Sequence, residues 1–127
     1  MQISWQLLLA VGSGGFLGAI SRFYANIVVS KNFPHEIPLA TLSVNIIGSF
    51  LIGILIALFL HITPSETLKV FLITGFLGGL TTYSTFAIES FFLLNNSLMY
   101  GMLNIVLNLV GSILFAGLGF KLMKYFI

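Results

Sequence analysis

The sequence contains no cysteine. That excludes a disulfide frame, a thiolate metal site and a cysteine nucleophile, and leaves the redox compartment unread. Charge is almost as scarce. Five Lys and Arg and three acidic residues make up 6% of 127 residues, against roughly a quarter in soluble domains. So few charges cannot cover a water-facing surface, and a net charge of +2 gives nucleic-acid binding no electrostatic support. The opening stretch, MQISWQLLLAVGSGG, lacks the basic start and small-x-small cleavage site of a signal peptide, and is read as part of the first span. HExxH, a phosphate loop, a GxSxG elbow and a carboxylate pair are also missing. The chain is not expected to be an enzyme.

What fills the chain is apolar: 58% hydrophobic residues and a mean hydropathy of +1.12. An all-α integral membrane protein with one domain, residues 1–127, is the expectation. A helix needs about 20 residues to cross the hydrocarbon core, and the polar landmarks divide the chain into four spans of that order, at about 5–29, 38–60, 67–94 and 98–120. KNFPHEI, HITPSE and Asn95-Asn96-Ser97 are the connections, and loops this short make neighbouring spans antiparallel. Ser65 before Glu66 reads as a helix cap, and Pro38 suits a first helical turn. Lys69, Lys121 and Lys124 fall on one side of the membrane and Lys31 on the other. That bias is weak under the positive-inside rule, so the chain is suited to insertion in both directions.

Polar groups inside a span are costly unless they face protein or water. Span 2 places Thr41, Asn45 and Ser49 four residues apart, and span 4 places Asn104, Asn108 and Ser112 likewise. Steps of four keep side chains on one face, so each helix presents one hydrogen-bonding stripe. Interhelical bonding with no functional end accounts for any one of these residues; the set together reads as the wall of a polar path. Gly14/Gly18 and Gly75/Gly79 have small-xxx-small spacing for helix packing.

Span 3 holds the densest signal, GFLGGLTTYSTF at Gly75–Phe86. Its glycines invite a break near mid-span, where irregular backbone survives only beside protein or a water-lined cavity. Freed carbonyls suit a hard cation such as Na⁺. The hydroxyls that follow, Thr81, Thr82, Tyr83, Ser84 and Thr85, can donate to a dehydrated anion. Tyr83 and Phe86 add ring edges, the positive rim of an aromatic quadrupole. Two charges also lie within the spans: Arg22, read first as a structural anchor, and Glu89, which is left open between anchor and vestibule.

GGFLGAISRF, PLATLSVNIIGSF, TGFLGGLTTYSTF and LNIVLNLVGS, in that order and spacing, resemble the signatures of the Fluc (CrcB-type) fluoride channels over essentially the whole chain. The resemblance implies four-span subunits with the third helix broken near its middle, paired as an antiparallel, dual-topology homodimer with two pores in the cell (plasma or inner) membrane. It implies passive fluoride export. A structural Na⁺ at the dimer centre would be held by the carbonyls of Gly78 and Thr81. The pore residues map to Asn45, Tyr83, Ser84, Thr85, Phe86, Asn108 and Ser112, with Arg22, Thr41 and Glu89 in structural or vestibule roles. Tyr83 departs from the family pattern, which has phenylalanine there. Two other classes fit the sequence less well. A proton-coupled drug exporter would need a carboxylate in span 1, where this chain has Arg22. A non-transporting membrane subunit would leave the glycines, hydroxyls and aromatics of span 3 unexplained.

Overall fold

The computed structural model describes Met1–Ile127, and its regular elements are all helices. Helix α1 covers Trp5–Asn32 and α2 covers Leu39–His61. The third span is built from several pieces: α3 (Glu66–Lys69), a π-helical segment (Val70–Leu77), α4 (Gly78–Leu80) and α5 (Tyr83–Asn96). Helix α6 covers Leu98–Phe126. Four segments, Trp5–Asn32, Leu39–His61, Glu66–Asn96 and Leu98–Phe126, are long and apolar enough to cross a membrane. The large exposed side chains are mostly Leu, Ile, Phe and Met, an outer surface suited to acyl chains.

Local chemistry fixes the helix ends. Ser65 Oγ accepts the Leu68 N–H at 3.2 Å and starts α3, with Glu66 in the first turn. Pro38 is the N-cap of α2 and not its first helical residue. The expected Asn95-Asn96-Ser97 turn is shorter than the sequence suggested. Helix α5 continues through Asn96, and Ser97 alone makes the connection in extended conformation, φ −152° and ψ 112°. Its N–H closes α5 on Leu93 O at 2.7 Å, and its hydroxyl caps α6 on the Tyr100 N–H at 3.4 Å.

Glycines set the packing. Helix α1 lies against the π-helical segment and α4, while α2 lies against α6. A methyl group on Gly14 would meet the Phe71 carbonyl, and one on Gly18 the Phe76 carbonyl. Reciprocally, Gly75 faces Val11 O and Gly79 faces Gly15 O, each 2.7 Å from where a Cβ would stand. Two small-xxx-small faces thus bring backbone onto backbone. Gly53 against Ala116 O and Gly119 against Phe50 O do the same for α2 and α6. Beyond Leu80 the third span leaves α1, and α5 packs on α6 instead.

Candidate functional site

Between α4 and α5 the backbone of Thr81 (φ −83°, ψ 156°) and Thr82 (φ −148°, ψ 112°) is extended. Buried peptide groups there need partners, and α2 supplies them through Asn45. Its Oδ1 accepts the Thr82 N–H at 2.8 Å, and its Nδ2 donates to the Thr82 carbonyl at 3.2 Å. One side-chain amide thereby serves both polar groups of one residue. The Thr82 hydroxyl accepts the Thr85 N–H at 3.2 Å, capping α5, and donates to Thr85 Oγ1 at 2.9 Å. A continuous helix would have sent the Thr82 N–H to Gly78 O and the Thr85 N–H to Thr81 O. Both donors are diverted, so the Gly78 and Thr81 carbonyls lose their regular helical partners.

A row of amides runs on from Asn45. Its Nδ2 also donates to Asn108 Oδ1 at 3.0 Å. Asn108 Nδ2 donates to the Asn104 carbonyl at 3.0 Å and to Asn104 Oδ1 at 3.2 Å. Asn104 Nδ2 donates to Ser90 Oγ at 2.9 Å. All four residues are buried. Both N–H bonds of Asn45, and both of Asn108, are therefore committed to protein acceptors.

Beside this row lies a groove of about 420 Å³. Asn45, Ser49, Gly78, Thr81, Tyr83, Phe86, Asn108 and Ser112 all line it, and no charged residue does. Phe86 is buried and Tyr83 is 73% exposed; their rings meet edge to face, centroids 5.5 Å apart and planes at 68°. The hydroxyls divide into two kinds. Those of Ser13, Ser21 and Ser43 turn back to the carbonyl four residues earlier, at 2.6–2.8 Å. The Thr81 hydroxyl does the same to Leu77 O at 2.9 Å. The hydroxyls of Ser49 and Ser112 make no such bond, and they stand partly exposed in the groove.

With this geometry, comparison with known proteins identifies the family. The description "CrcB-like protein, Camphor Resistance (CrcB)" matches residues 9–120. The chain belongs to the CrcB family. It is 56% identical over 124 residues to the "Fluoride-specific ion channel FluC" of Sulfurimonas denitrificans, covering 96% of each chain. Proteins of the same name from Campylobacter fetus (49% identical, 96% of this chain and 97% of the relative) and Nautilia profundicola (46%, 94% of each) are also similar. These relatives carry the name of an ion channel and not of an enzyme, and with its four apolar spans the CrcB chain is a multi-pass membrane protein.

The remaining candidates of this CrcB protein gather elsewhere. A second cavity of about 270 Å³ is lined by Arg22, Asn26, Thr41, Thr85 and Glu89, with Thr82 shared between the two. Arg22 Nε donates to the Gly79 carbonyl at 2.9 Å, and the Thr41 hydroxyl donates to Glu89 Oε1 at 2.8 Å. The other Glu89 oxygen is buried without a partner. Ser84 is exposed and lines neither cavity. Ser49 was part of the span 2 stripe without being singled out; its missing backbone bond is a three-dimensional fact that spacing does not carry. Ser90 was missed entirely, because its partner is on another helix.

Proposed function

We propose that this protein is a fluoride-selective channel, passively exporting fluoride across the cell membrane as an antiparallel, dual-topology homodimer with two pores. The observation that carries this reading is the uncharged groove, where the Ser49 and Ser112 hydroxyls have no protein acceptor and stand beside the Tyr83–Phe86 ring pair. Fluoride is small and strongly hydrated, so a selective path has to replace its water with many donors. Rotatable hydroxyls and ring edges offer that replacement. An uncharged wall keeps binding weak enough for release, as conduction requires. The names of the similar proteins support the same ion.

In this reading the third span works as a broken helix. The diverted carbonyls of Gly78 and Thr81 are oxygen donors of the kind a hard cation takes. They fit a structural Na⁺, with a second antiparallel copy bringing its own pair. Bound there, such an ion would join the two copies and offset the partial negative charge of these carbonyls. Asn45 has a different task, because its donors are spent: it holds the extended Thr81–Thr82 backbone in place. Tyr83 and Ser84, exposed in one chain, are then available to the second copy.

The test is efflux from liposomes, read with a fluoride electrode while potassium carries the balancing current. Fluoride is expected to leave at channel rates and chloride to stay. Equal release of the two ions removes the selectivity claim, and absence of fluoride release removes the function.

A further inference from the structure

Phe86 and Ser90 sit four residues apart on α5, Thr82 is its N-cap four residues before Phe86, and all three are buried. Two grips hold this segment, one turn to either side of Phe86. On the N-terminal side Asn45 holds the Thr82 peptide at 2.8 and 3.2 Å. On the C-terminal side Asn104 donates to Ser90 Oγ at 2.9 Å. The grips are joined, because Asn108 links Asn104 to Asn45 at 3.2 and 3.0 Å. We propose that Asn104, through Ser90, is a positioning residue that fixes the rotation of α5 and so aims the Phe86 ring into the groove.

The need for such a device follows from the extended Thr81–Thr82 backbone. A continuous helix inherits its rotation from the preceding turns. Here α5 restarts after two extended residues, so its rotation must be set from outside. The grip at Thr82 acts at one end of α5; the buried Ser90 bond, two turns later, adds a second point of fixation to its packing on α6 and to the Thr41–Glu89 bond. Asn104 is suited to the task. It is 1% exposed, lines neither cavity and cannot touch a passing ion. The amide bonds also run in one sense, each Nδ2 donating to the next residue. Turning any one over would set like groups against each other, so the chain of amides holds one arrangement.

The proposal rests on the fluoride reading for its flux readout, and a spectroscopic readout separates the two. Ser90→Ala deletes the Asn104–Ser90 bond alone, and Asn104→Leu deletes it together with the Asn108 Nδ2–Asn104 Oδ1 bond. Both variants and the double variant are reconstituted as full-length protein, with fluorinated phenylalanine at position 86 observed by ¹⁹F NMR. Each single variant is expected to lower fluoride efflux about tenfold, the factor carried by one buried hydrogen bond of ordinary strength. Each should also shift or broaden the position 86 resonance. The double variant should be no worse than Asn104→Leu, because that change already removes the only bond Ser90→Ala deletes. Should Asn104→Leu fail to fold, Ser90→Ala carries the test, since it removes only a hydroxyl. A wild-type resonance in Ser90→Ala overturns the positioning role, whatever the flux. Wild-type flux in a folded single variant overturns it as well, as do additive effects in the double. If wild-type protein passes no fluoride, the proposed function falls and the resonance alone decides the positioning role.

Discussion

Gly48 and Thr81 are a paired choice, and a double substitution exposes it. A Cβ added at Gly48 would collide with Thr81 Cγ2, while the next nearest atom, Thr81 Cβ, is 3.7 Å away in ordinary contact. The threonine cannot simply rotate, because its Oγ1 donates to Leu77 O at 2.9 Å. Gly48→Ala therefore either strains the packing, at about 1–3 kcal/mol, or breaks that bond, at about 0.5–1.5 kcal/mol. Replacing glycine within a helix returns about 0.5–1 kcal/mol. The net expectation is a loss of up to about 2.5 kcal/mol, together with displacement of the Thr81 backbone and reduced flux. Thr81→Ser keeps the hydroxyl and deletes only Cγ2. In that background the collision is gone and Gly48→Ala should be neutral or stabilising by the helix term. Equilibrium unfolding of all four proteins in one detergent, with fluoride efflux alongside, gives the cycle. An effect of Gly48→Ala that is the same in both backgrounds refutes the reasoning.

Other substitutions test the remaining parts of the site. Asn45→Asp keeps an acceptor for the Thr82 N–H but turns an oxygen toward Thr82 O and Asn108 Oδ1; efflux is expected to fall at least about tenfold, with an unchanged elution volume on size exclusion. Phe86→Ile removes a ring edge at nearly constant apolarity, and liposome flux should drop while the protein stays folded; unchanged flux takes Phe86 off the path. Ser49→Ala and Ser112→Ala each delete a hydroxyl with no protein acceptor, so flux should decline without loss of thermal stability, and loss of stability instead would make these hydroxyls structural. Gly18→Val sets side-chain carbons into the Phe76 carbonyl and should prevent assembly of α1 with the third span, read as aggregation during purification.

Parts of this architecture could be read from the chain because they depend on near neighbours or on composition. Four apolar segments with short connections leave few alternatives, and Ser65 caps a helix by contacting a residue three positions on. The polar stripes were legible as stripes but not as single faces. A step of four residues advances about 40° beyond a full turn, so two steps separate Thr41 from Ser49 by about 80°. Thr41 consequently lines the second cavity with Arg22 and Glu89, while Ser49 lines the groove. The same drift turns Asn104 away from Ser112 and onto Ser90. The extended backbone was harder still. The glycines at 75, 78 and 79 mark the region, but the extended residues are Thr81 and Thr82, where Asn45 replaces the helical partner. No local rule encodes an amide arriving from another span.

The division of labour between amides and hydroxyls follows from their geometry. A carboxamide offers two donors and an acceptor in one plane, so it can bridge several partners but only in a set orientation. In this chain such groups form the frame: Asn45, Asn104 and Asn108 are buried and committed to protein partners. A serine hydroxyl has one proton on a rotatable bond, and its usual resting place in a helix is the carbonyl four residues back. Ser13, Ser21 and Ser43 rest there; Ser49 and Ser112 do not. A hydroxyl of the second kind can swing toward an arriving anion and away again without breaking the helix that carries it. Fixed cations would serve less well, because a guanidinium in a narrow apolar groove would hold the anion too tightly. The one arginine inside a span is outside the groove, with its Nε on the Gly79 carbonyl.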